Sequence, residues 1–469
     1  MPHDLAATFN EHSVMTIMEA DPLHKERPSP LANAASGLTR VVICGGGAGG
    51  LPLAVMLQAR AKRHRLSITL VDPSATHVWK PLLHEFASGS MDKGAHEIAY
   101  LALAAWRGFT FSQGPLTGID REKRQVLIGP ALDAGGIEMA PARRLPYDLL
   151  VVAVGGVTND FGIPGVKENA FFLDSAPEAE KLHREIVRAC MRANYDEAGQ
   201  RDRLDICIVG GGATGVELAA ELRSTTRMLL AYGLDRLDPE RFVRLTLINA
   251  DPRLLLQLPE HISQSIGDIL ASLDVRILNN TQVTAVEKET IVTRSGERIH
   301  SDITIWAAGV RAPHFLTDLA GLESGRGGQL AVTQTLQTTR DPRILALGDC
   351  AACPWLDKGG LVPPRAQASF QQAAYLTAAI PKLIAGEDAS PFRYNDLGSL
   401  VSLGDAQAIG TLMGLARGTG IRIEGFLARL LYKWLYKRHQ AALFGWWAVV
   451  LDTFGRWIGS ATRPRVKLH

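Results

Sequence analysis

The chain reads Val41-Val42-Ile43-Cys44-Gly45-Gly46-Gly47-Ala48-Gly49-Gly50, and later Ile206-Cys207-Ile208-Val209-Gly210-Gly211-Gly212-Ala213-Thr214-Gly215. Each stretch is a short apolar run followed by G-x-G-x-x-G and then by a helical pattern. In that context the motif marks a dinucleotide site. One glycine turns the chain, one lets the backbone approach a pyrophosphate, and one lets helix pack on strand. The phosphates then sit at a helix N-terminus, where free N–H groups and the dipole favour anions. Two such turns imply two bound dinucleotides and electrons passed between them.

The rest of the chain repeats the same plan outward from these turns. Arg40–Cys44 reads as a strand, Leu51–Lys62 as a helix and Leu66–Val71 as a second strand ending at Asp72. Asp72 stands about 20 residues beyond Gly50, where an acid bonds ribose hydroxyls. Residues 73–100 lack periodicity and read as a loop able to cover a cofactor. Gln125–Ile128 reads as antiparallel strand, Tyr147–Val154 as a buried strand running into Gly155-Gly156, and 175–199 as helix. The second unit comprises strand Arg203–Val209, helix Val216–Tyr232 and strand Arg244–Ile248. Asp302–Trp306 then runs into Ala307-Ala308-Gly309, Arg343–Leu347 into Gly348-Asp349, and Pro363–Ile384 is mostly helical.

The second unit departs from the pattern, because its second strand ends in Asn249-Ala250. Asn bonds a ribose but does not repel a 2′-phosphate, so the expected donor is NADH with some tolerance of NADPH. Arg253 is either a phosphate partner or an ordinary solvated loop residue.

With 469 residues, two or three domains are expected. Hydrophobic residues at 46% and charged residues at 21% are ordinary for a globular protein. The net charge of +2 gives no sign of a nucleic-acid partner. Five cysteines in this length make no disulfide framework, which suits a reducing compartment. Residues 1–37 show no secretion-signal pattern and read as a mobile extension. No run of about 18 apolar residues offers a spanning helix.

Taken together, Gly45–Gly50, Thr214-Gly215-Val216-Glu217-Leu218, Trp306–Gly309 and Gly348-Asp349-Cys350-Ala351 resemble the two-dinucleotide-binding flavoproteins. The stretches VDPSATHVWKPLLHEFASGSMD at 71–92 and GDCAACPWLDKGGLVPPRAQASFQQ at 348–372 resemble type II NADH:quinone oxidoreductases of the bacterial branch. These are single-subunit respiratory dehydrogenases that do not pump protons. The resemblance implies an α/β fold of two Rossmann-like domains plus a C-terminal amphipathic helical segment. It implies an FAD domain from 38–160 and 305–424, an NAD(P)H domain from 161–304, and a membrane-associating segment from 425–469.

It further implies FAD at Gly45, Gly47, Ala48, Gly49, Gly50 and Asp72, with Lys80, Gly155, Gly348 and Asp349 near the flavin. NADH falls on Gly210, Gly212, Thr214, Gly215, Asn249 and Gly309. Glu217 matches an acid near the nicotinamide and is the candidate for steering it or relaying protons, or else caps a helix. Ala366, Gln367 and Gln371 match a quinone-site pattern, and the two glutamines share a helix face. No metal constellation is required. Cys350-x-x-Cys353 has dithiol spacing, but no second pair completes a zinc site, and packing thiols are expected.

In the C-terminal segment Leu427, Leu430, Leu431, Trp434 and Leu435 recur at helical spacing. Arg429, Lys433, Lys437 and Arg438 fall largely elsewhere, and Trp446, Trp447 and Trp457 suit a membrane interface. The pattern reads as an amphipathic helix on an anionic membrane, at the cytoplasmic face, which suits a lipid-soluble quinone. A helix packed on the core or in a homodimer contact reads similarly. Two other activities fit the same turns: a sulfide:quinone oxidoreductase, needing cysteines at the flavin, and a flavin-containing redox sensor.

Overall fold

A computed structural model describes residues 37–91, 93–133, 135–195, 203–231, 242–325, 327–404, 408–412 and 421–459. Nearly all of the expected N-terminal extension lies outside these residues, as do the far ends of the expected helices 175–199 and 216–232. The side chains of Leu427, Arg429, Lys433 and Trp457 are also outside the described set.

Two five-stranded parallel sheets carry the two glycine turns. The first runs in the order Ile344–Ala346, Leu149–Val152, Thr39–Cys44, Leu66–Asp72, Thr110–Gln113. The second runs Ala170–Phe171, Ile303–Trp306, Leu204–Val209, Val243–Ile248, Val275–Leu278. Thr39–Cys44 and Leu204–Val209 sit centrally and are nearly all apolar, because parallel strands covered on both faces must be. A parallel pair needs a crossover, and the helices Gly50–His64 and Ala213–Ala231 provide it directly after each turn. Gly50–His64 ends on Arg65 in the left-handed conformation, with Lys62, Arg63 and His64 in its last turn, where cations complement the dipole.

Each parallel sheet has a three-stranded antiparallel companion: Leu116–Asp120, Gln125–Ile128 and Arg143–Pro146 for the first, Val283–Glu287, Thr290–Thr293 and Arg298–His300 for the second. Ile344–Ala346 brings the chain back to the first sheet beside Leu149–Val152, so that sheet is assembled from both ends of the sequence.

Residues 73–100 are not a loop. They hold a two-stranded pairing of Thr76–His77 with Ile98–Ala99, a 3₁₀ turn Lys80–Leu82, and helices Leu83–Ser88 and Lys93–His96. These pieces are too short to print a period. Leu82, Leu83, Phe86 and Ala87 pack in one cluster with Ala179, Leu182, Val216 and Ala220 of the second half. This segment therefore leaves the first sheet and buries itself against the helices beside the second.

The C-terminal segment divides into two helices, Phe426–Phe444 and Trp446–Gly459. The first is docked: Ala428, His439, Gln440 and Leu443 are buried. Arg107 donates to the Leu443 carbonyl, and the Arg438 guanidinium lies over the Phe370 ring. In the second, Trp447, Val450, Leu451 and Phe454 form an exposed stripe at helical spacing. No described helix is long and apolar enough to cross a membrane.

Candidate functional site

The two turns are built alike. Gly45 has φ +110° and Gly210 φ +126°, values that L side chains rarely adopt. A Cβ on Gly45 would lie 2.2 Å from the Ala153 carbonyl oxygen, and one on Gly210 would lie 2.7 Å from that of Ala307. Gly50 and Gly215 are the close-packing positions, where a Cβ would fall 1.8 Å from the Gly45 oxygen and 2.0 Å from the Gly210 oxygen. Neither lines the cavity described below. Gly47 and Gly212 differ: a Cβ on either meets no protein atom and projects into open space.

The strand-end residues behave differently in the two units. Asp72 Oδ2 accepts from the Gly46 N–H at 2.7 Å, and its Oδ1 from the Ser74 N–H at 2.8 Å. Burial pushes its carboxyl upward while these bonds pull it down. Asn249 is buried and turned inward. Its Nδ2 donates to the Asp251 carbonyl and to Asn279 Oδ1, both at 3.0 Å, and its Oδ1 accepts the Asp251 N–H. Its amide hydrogens are thus committed to its own turn and to Asn279. Arg253 is committed as well, donating to the carbonyls of Leu255, Leu256 and Leu258. Asp251 is the exposed charge at this wall of the cavity.

Gly348-Asp349 follows the returning strand and faces the first turn. Burial raises the Asp349 carboxyl, opposed by the charge of Lys80. Lys80 Nζ donates to the Gly156 carbonyl and to Asp174, both at 2.9 Å. Gln372, which the sequence reading passed over, is buried and its Oε1 accepts the Gly348 N–H at 2.7 Å, tying this turn to the Ala366–Ile384 helix. Gln367 and Gln371 share a face of that helix, but their amides hold neighbouring backbone. Gln367 donates to the Gly398 carbonyl and Asp396 and accepts from Leu397 N–H. Gln371 both donates to and accepts from the Asn395 backbone. Through these bonds the two glutamines pin residues 395–398, of which Leu397 and Gly398 line the cavity's edge.

Glu217 is not a cap. It sits inside the Ala213–Ala231 helix, buried, with Oε1 accepting the Ser402 N–H at 3.1 Å. Burial, with Glu85 and Glu221 nearby, pushes its carboxyl up to about 8. His84 Nδ1 lies 3.7 Å from Glu217 Oε2.

All five cysteines are free and buried, and none lines the cavity. Burial pushes Cys350 to about 12 and Cys353 to about 11, so neither is a thiolate at neutral pH. Asp205, His300 and Asp302 bring three potential ligand atoms within 4.8 Å of one another, but Arg203 and Arg244 already pair with Asp205.

These parts meet in one cavity of about 1720 Å³. Its wall includes Gly45, Gly47, Ala48, Gly49, Asp72, Lys80, Gly155, Gly348 and Asp349 of the first half. It includes Gly210, Gly212, Thr214, Glu217, Asn249 and Gly309 of the second, and Ala366, Gln367 and Gln371 of the late helix. Tyr432, Tyr436 and His439 of the C-terminal helix complete it. The first half fits FAD: an open glycine at a helix start for a pyrophosphate, a strand-end carboxylate for ribose, and a half-buried Asp349 at the same cavity wall.

A family model for pyridine nucleotide-disulphide oxidoreductases matches residues 39–373. A type II NADH:quinone oxidoreductase of Haemophilus influenzae is 39% identical over 450 residues, covering 92% of this chain and all of that one. One of Mycobacterium tuberculosis is 30% identical over 432 residues, covering 88% of this chain and 87% of the other. Among solved structures, NDH2 of Plasmodium falciparum in complex with NADH aligns with a TM-score of 0.73 at 20% identity, covering 92% of this chain and 100% of that chain.

Proposed function

This chain belongs to the pyridine nucleotide-disulphide oxidoreductases and, among them, to the type II NADH:quinone oxidoreductases, and from that premise we propose how its own residues divide the work. The enzyme passes electrons from NADH through FAD to a quinone. Bound FAD supplies a carrier that accepts a hydride from NADH and returns two electrons to the quinone. The protein supplies placement, charge and protons.

The observation that carries this reading is the single cavity shared by both glycine turns and the Ala366 end of the late helix. The assignment of 38–160 and 305–424 to FAD, and of 161–304 to the nicotinamide cofactor, follows the two sheets. Gly45, Gly47 and the Gly50–His64 helix start hold the FAD pyrophosphate, and Asp72 holds its ribose. Asp349 and Lys80 fix charge near the flavin. Gly210, Gly212 and Thr214 hold the NADH pyrophosphate. Ala366 and the backbone edge held by Gln367 and Gln371 bound the quinone end, and Glu217 stands between with a neutral carboxyl.

The membrane is reached through the second C-terminal helix. Its exposed stripe of Trp447, Val450, Leu451 and Phe454 is an apolar face suited to a bilayer surface at the cytoplasmic side, and exposed Trp106 stacks on Phe444 just before it. The first helix, which runs directly into the second, lines the cavity, and this supports entry of a lipid-soluble acceptor from the membrane side.

The test is anaerobic. Purified yellow protein is expected to bleach with NADH and to regain colour with a soluble quinone. Bleaching by sulfide and not by NADH, or flavin that NADH leaves oxidised, would refute the reading.

A further inference from the structure

Quinol formation needs one more proton than NADH delivers. The balance is NADH + H⁺ + quinone → NAD⁺ + quinol: the hydride brings two electrons and one hydrogen, and the other hydrogen comes from solvent. At the cavity wall the Glu217 side chain is only 10% exposed, which calls for a route through the chain.

We propose that His84 is that route, taking a proton from the side of Glu85 and passing it to the carboxyl of Glu217 at the cavity wall. The inference rests on the function proposed above and adds residues that the family resemblance did not bring forward.

The geometry is a line of three side chains. His84 sits on the short helix Leu83–Ser88, with its side chain 3% exposed. Its Nε2 lies 3.9 Å from Glu85 Oε1, and its Nδ1 lies 3.7 Å from Glu217 Oε2. The Glu85 side chain is 21% exposed and that of Glu217 10%. The line therefore runs from a group that water reaches to one that it barely reaches. Both gaps exceed hydrogen-bond length and are of the size that one water or a small ring movement closes.

Two buried polar atoms here make no hydrogen bond among the described residues: His84 Nε2 and Tyr432 Oη. Such atoms are rare and call for a reason. The imidazole's remaining bond goes to the Pro81 carbonyl, which a neutral ring satisfies by donating Nδ1–H. Nε2 is then a bare lone pair on the Glu85 side, able to accept a proton, while Nδ1, 3.7 Å from Glu217 Oε2, carries the hydrogen that turns from the Pro81 carbonyl to Glu217 when the carboxylate forms. That orientation is what a relay through imidazole requires.

The proton steps follow. The Glu217 O–H bond breaks as an O–H bond forms on the quinone oxygen. The buried carboxylate left behind takes the Nδ1 proton, while Nε2 receives one from the Glu85 side. Glu85 is refilled from solvent, and a ring flip restores the first tautomer.

The groups facing this line are Glu85 on the same helix, Glu217 and Glu221 on the Ala213–Ala231 helix, and Tyr432 on the C-terminal helix. The strand Gly398–Ser402 contributes only the Ser402 N–H. Burial pushes His84 down to about 4, so the ring rests neutral and carries charge only in passing. Burial and the three acids keep Tyr432 as O–H. His84 also plugs the core, and a purely structural plug predicts different results in the test.

The test separates the half-reactions in holoenzyme and follows protons independently. His84→Gln keeps the shape and cannot be protonated. Expected are unchanged FAD content and unchanged bleaching by NADH. The quinone step should slow on the order of a hundredfold, proton uptake seen by a pH-indicator dye should slow in parallel, and imidazole should partly rescue His84→Ala. The infrared band of the Glu217 carboxyl, identified by its loss in Glu217→Gln, should regain its proton correspondingly late. Wild-type proton uptake in His84→Gln overturns the relay, and so does an equal fall in both half-reactions. If His84→Gln loses FAD, Glu85→Gln decides: slowed uptake supports the relay, and wild-type uptake overturns it. A wild-type protein that NADH fails to bleach would sink the function itself, which is a separate result.

Discussion

His77 Nε2 and His439 Nε2 face each other at 3.0 Å in the protein interior, although 362 positions separate them in sequence. His77 Nδ1 bonds the Gly46 carbonyl at 2.9 Å, which a neutral ring does only by donating. Its Nε2 is then an acceptor, and the Nε2–H of His439 donates to it. The Tyr100 hydroxyl donates to the same carbonyl at 2.8 Å. The docked C-terminal helix is thus hydrogen-bonded, through two imidazoles, to the first glycine turn.

Removing His439 leaves His77 Nε2 buried without its donor, and removing His77 leaves the His439 Nε2–H buried without its acceptor. His439→Leu is expected to cost about 1–3 kcal/mol and to speed FAD release, measured by denaturant unfolding and by flavin fluorescence. Burial pushes His77 from 6.5 down to about 4. Between those values the unfolded chain binds a proton that the folded chain does not, so stability falls as pH falls through the window. The loss is on the order of 3 kcal/mol for His77 alone. A His77→Phe, His439→Leu double variant should show a shallower slope between pH 6.5 and 4. An unaltered slope would show that the pair is not its source.

The glycines of the first turn should separate folding from binding. Gly50→Ala drives a Cβ to 1.8 Å from a backbone oxygen and should fail to fold or lose several kcal/mol. Gly47→Ala meets no protein atom and should melt like the apoprotein while binding FAD poorly. Gly212→Ala should retain FAD and raise the KM for NADH. Full FAD binding by Gly47→Ala would move the pyrophosphate elsewhere.

The committed amide of Asn249 changes what the sequence suggested about NADPH. Asp251 is the charge that a 2′-phosphate would meet, and Arg253 is held by carbonyls. We expect kcat/KM to favour NADH by about tenfold or more, which is about 1.4 kcal/mol, and Asp251→Asn to narrow that ratio. An unchanged ratio in Asp251→Asn would clear Asp251 of the role.

The two C-terminal helices should separate under truncation. Ending the chain after Gly445 removes Trp446, Trp447, Leu451 and Phe454, so binding to anionic vesicles should fall while FAD content holds. Ending it after Gly425 also removes His439 and fully buried Leu443, and should destabilise the fold itself. Undiminished vesicle binding after the first truncation would point to Leu101 and Trp106 as the principal contact.

Local chemistry made both glycine turns, Asp72, Gly348-Asp349 and most strands of the two parallel sheets legible in the sequence. A left-handed φ, a close backbone approach and a doubly buried strand each restrict residue type at the position itself, and so leave a mark there. Residues 73–100 left no such mark, because their elements are shorter than the period that would reveal them. Whether an amide or an imidazole is free depends on partners far away in sequence. Asn279 occupies Asn249, the 395–398 backbone occupies Gln367 and Gln371, and His439 occupies His77. The sequence alone implied that two dinucleotides bind and that electrons pass between them. The tertiary structure decided which side chains are already taken, since hydrogen-bond partners are assigned only when the chain folds, and it placed His84, Glu217 and Tyr432 together in one buried corner.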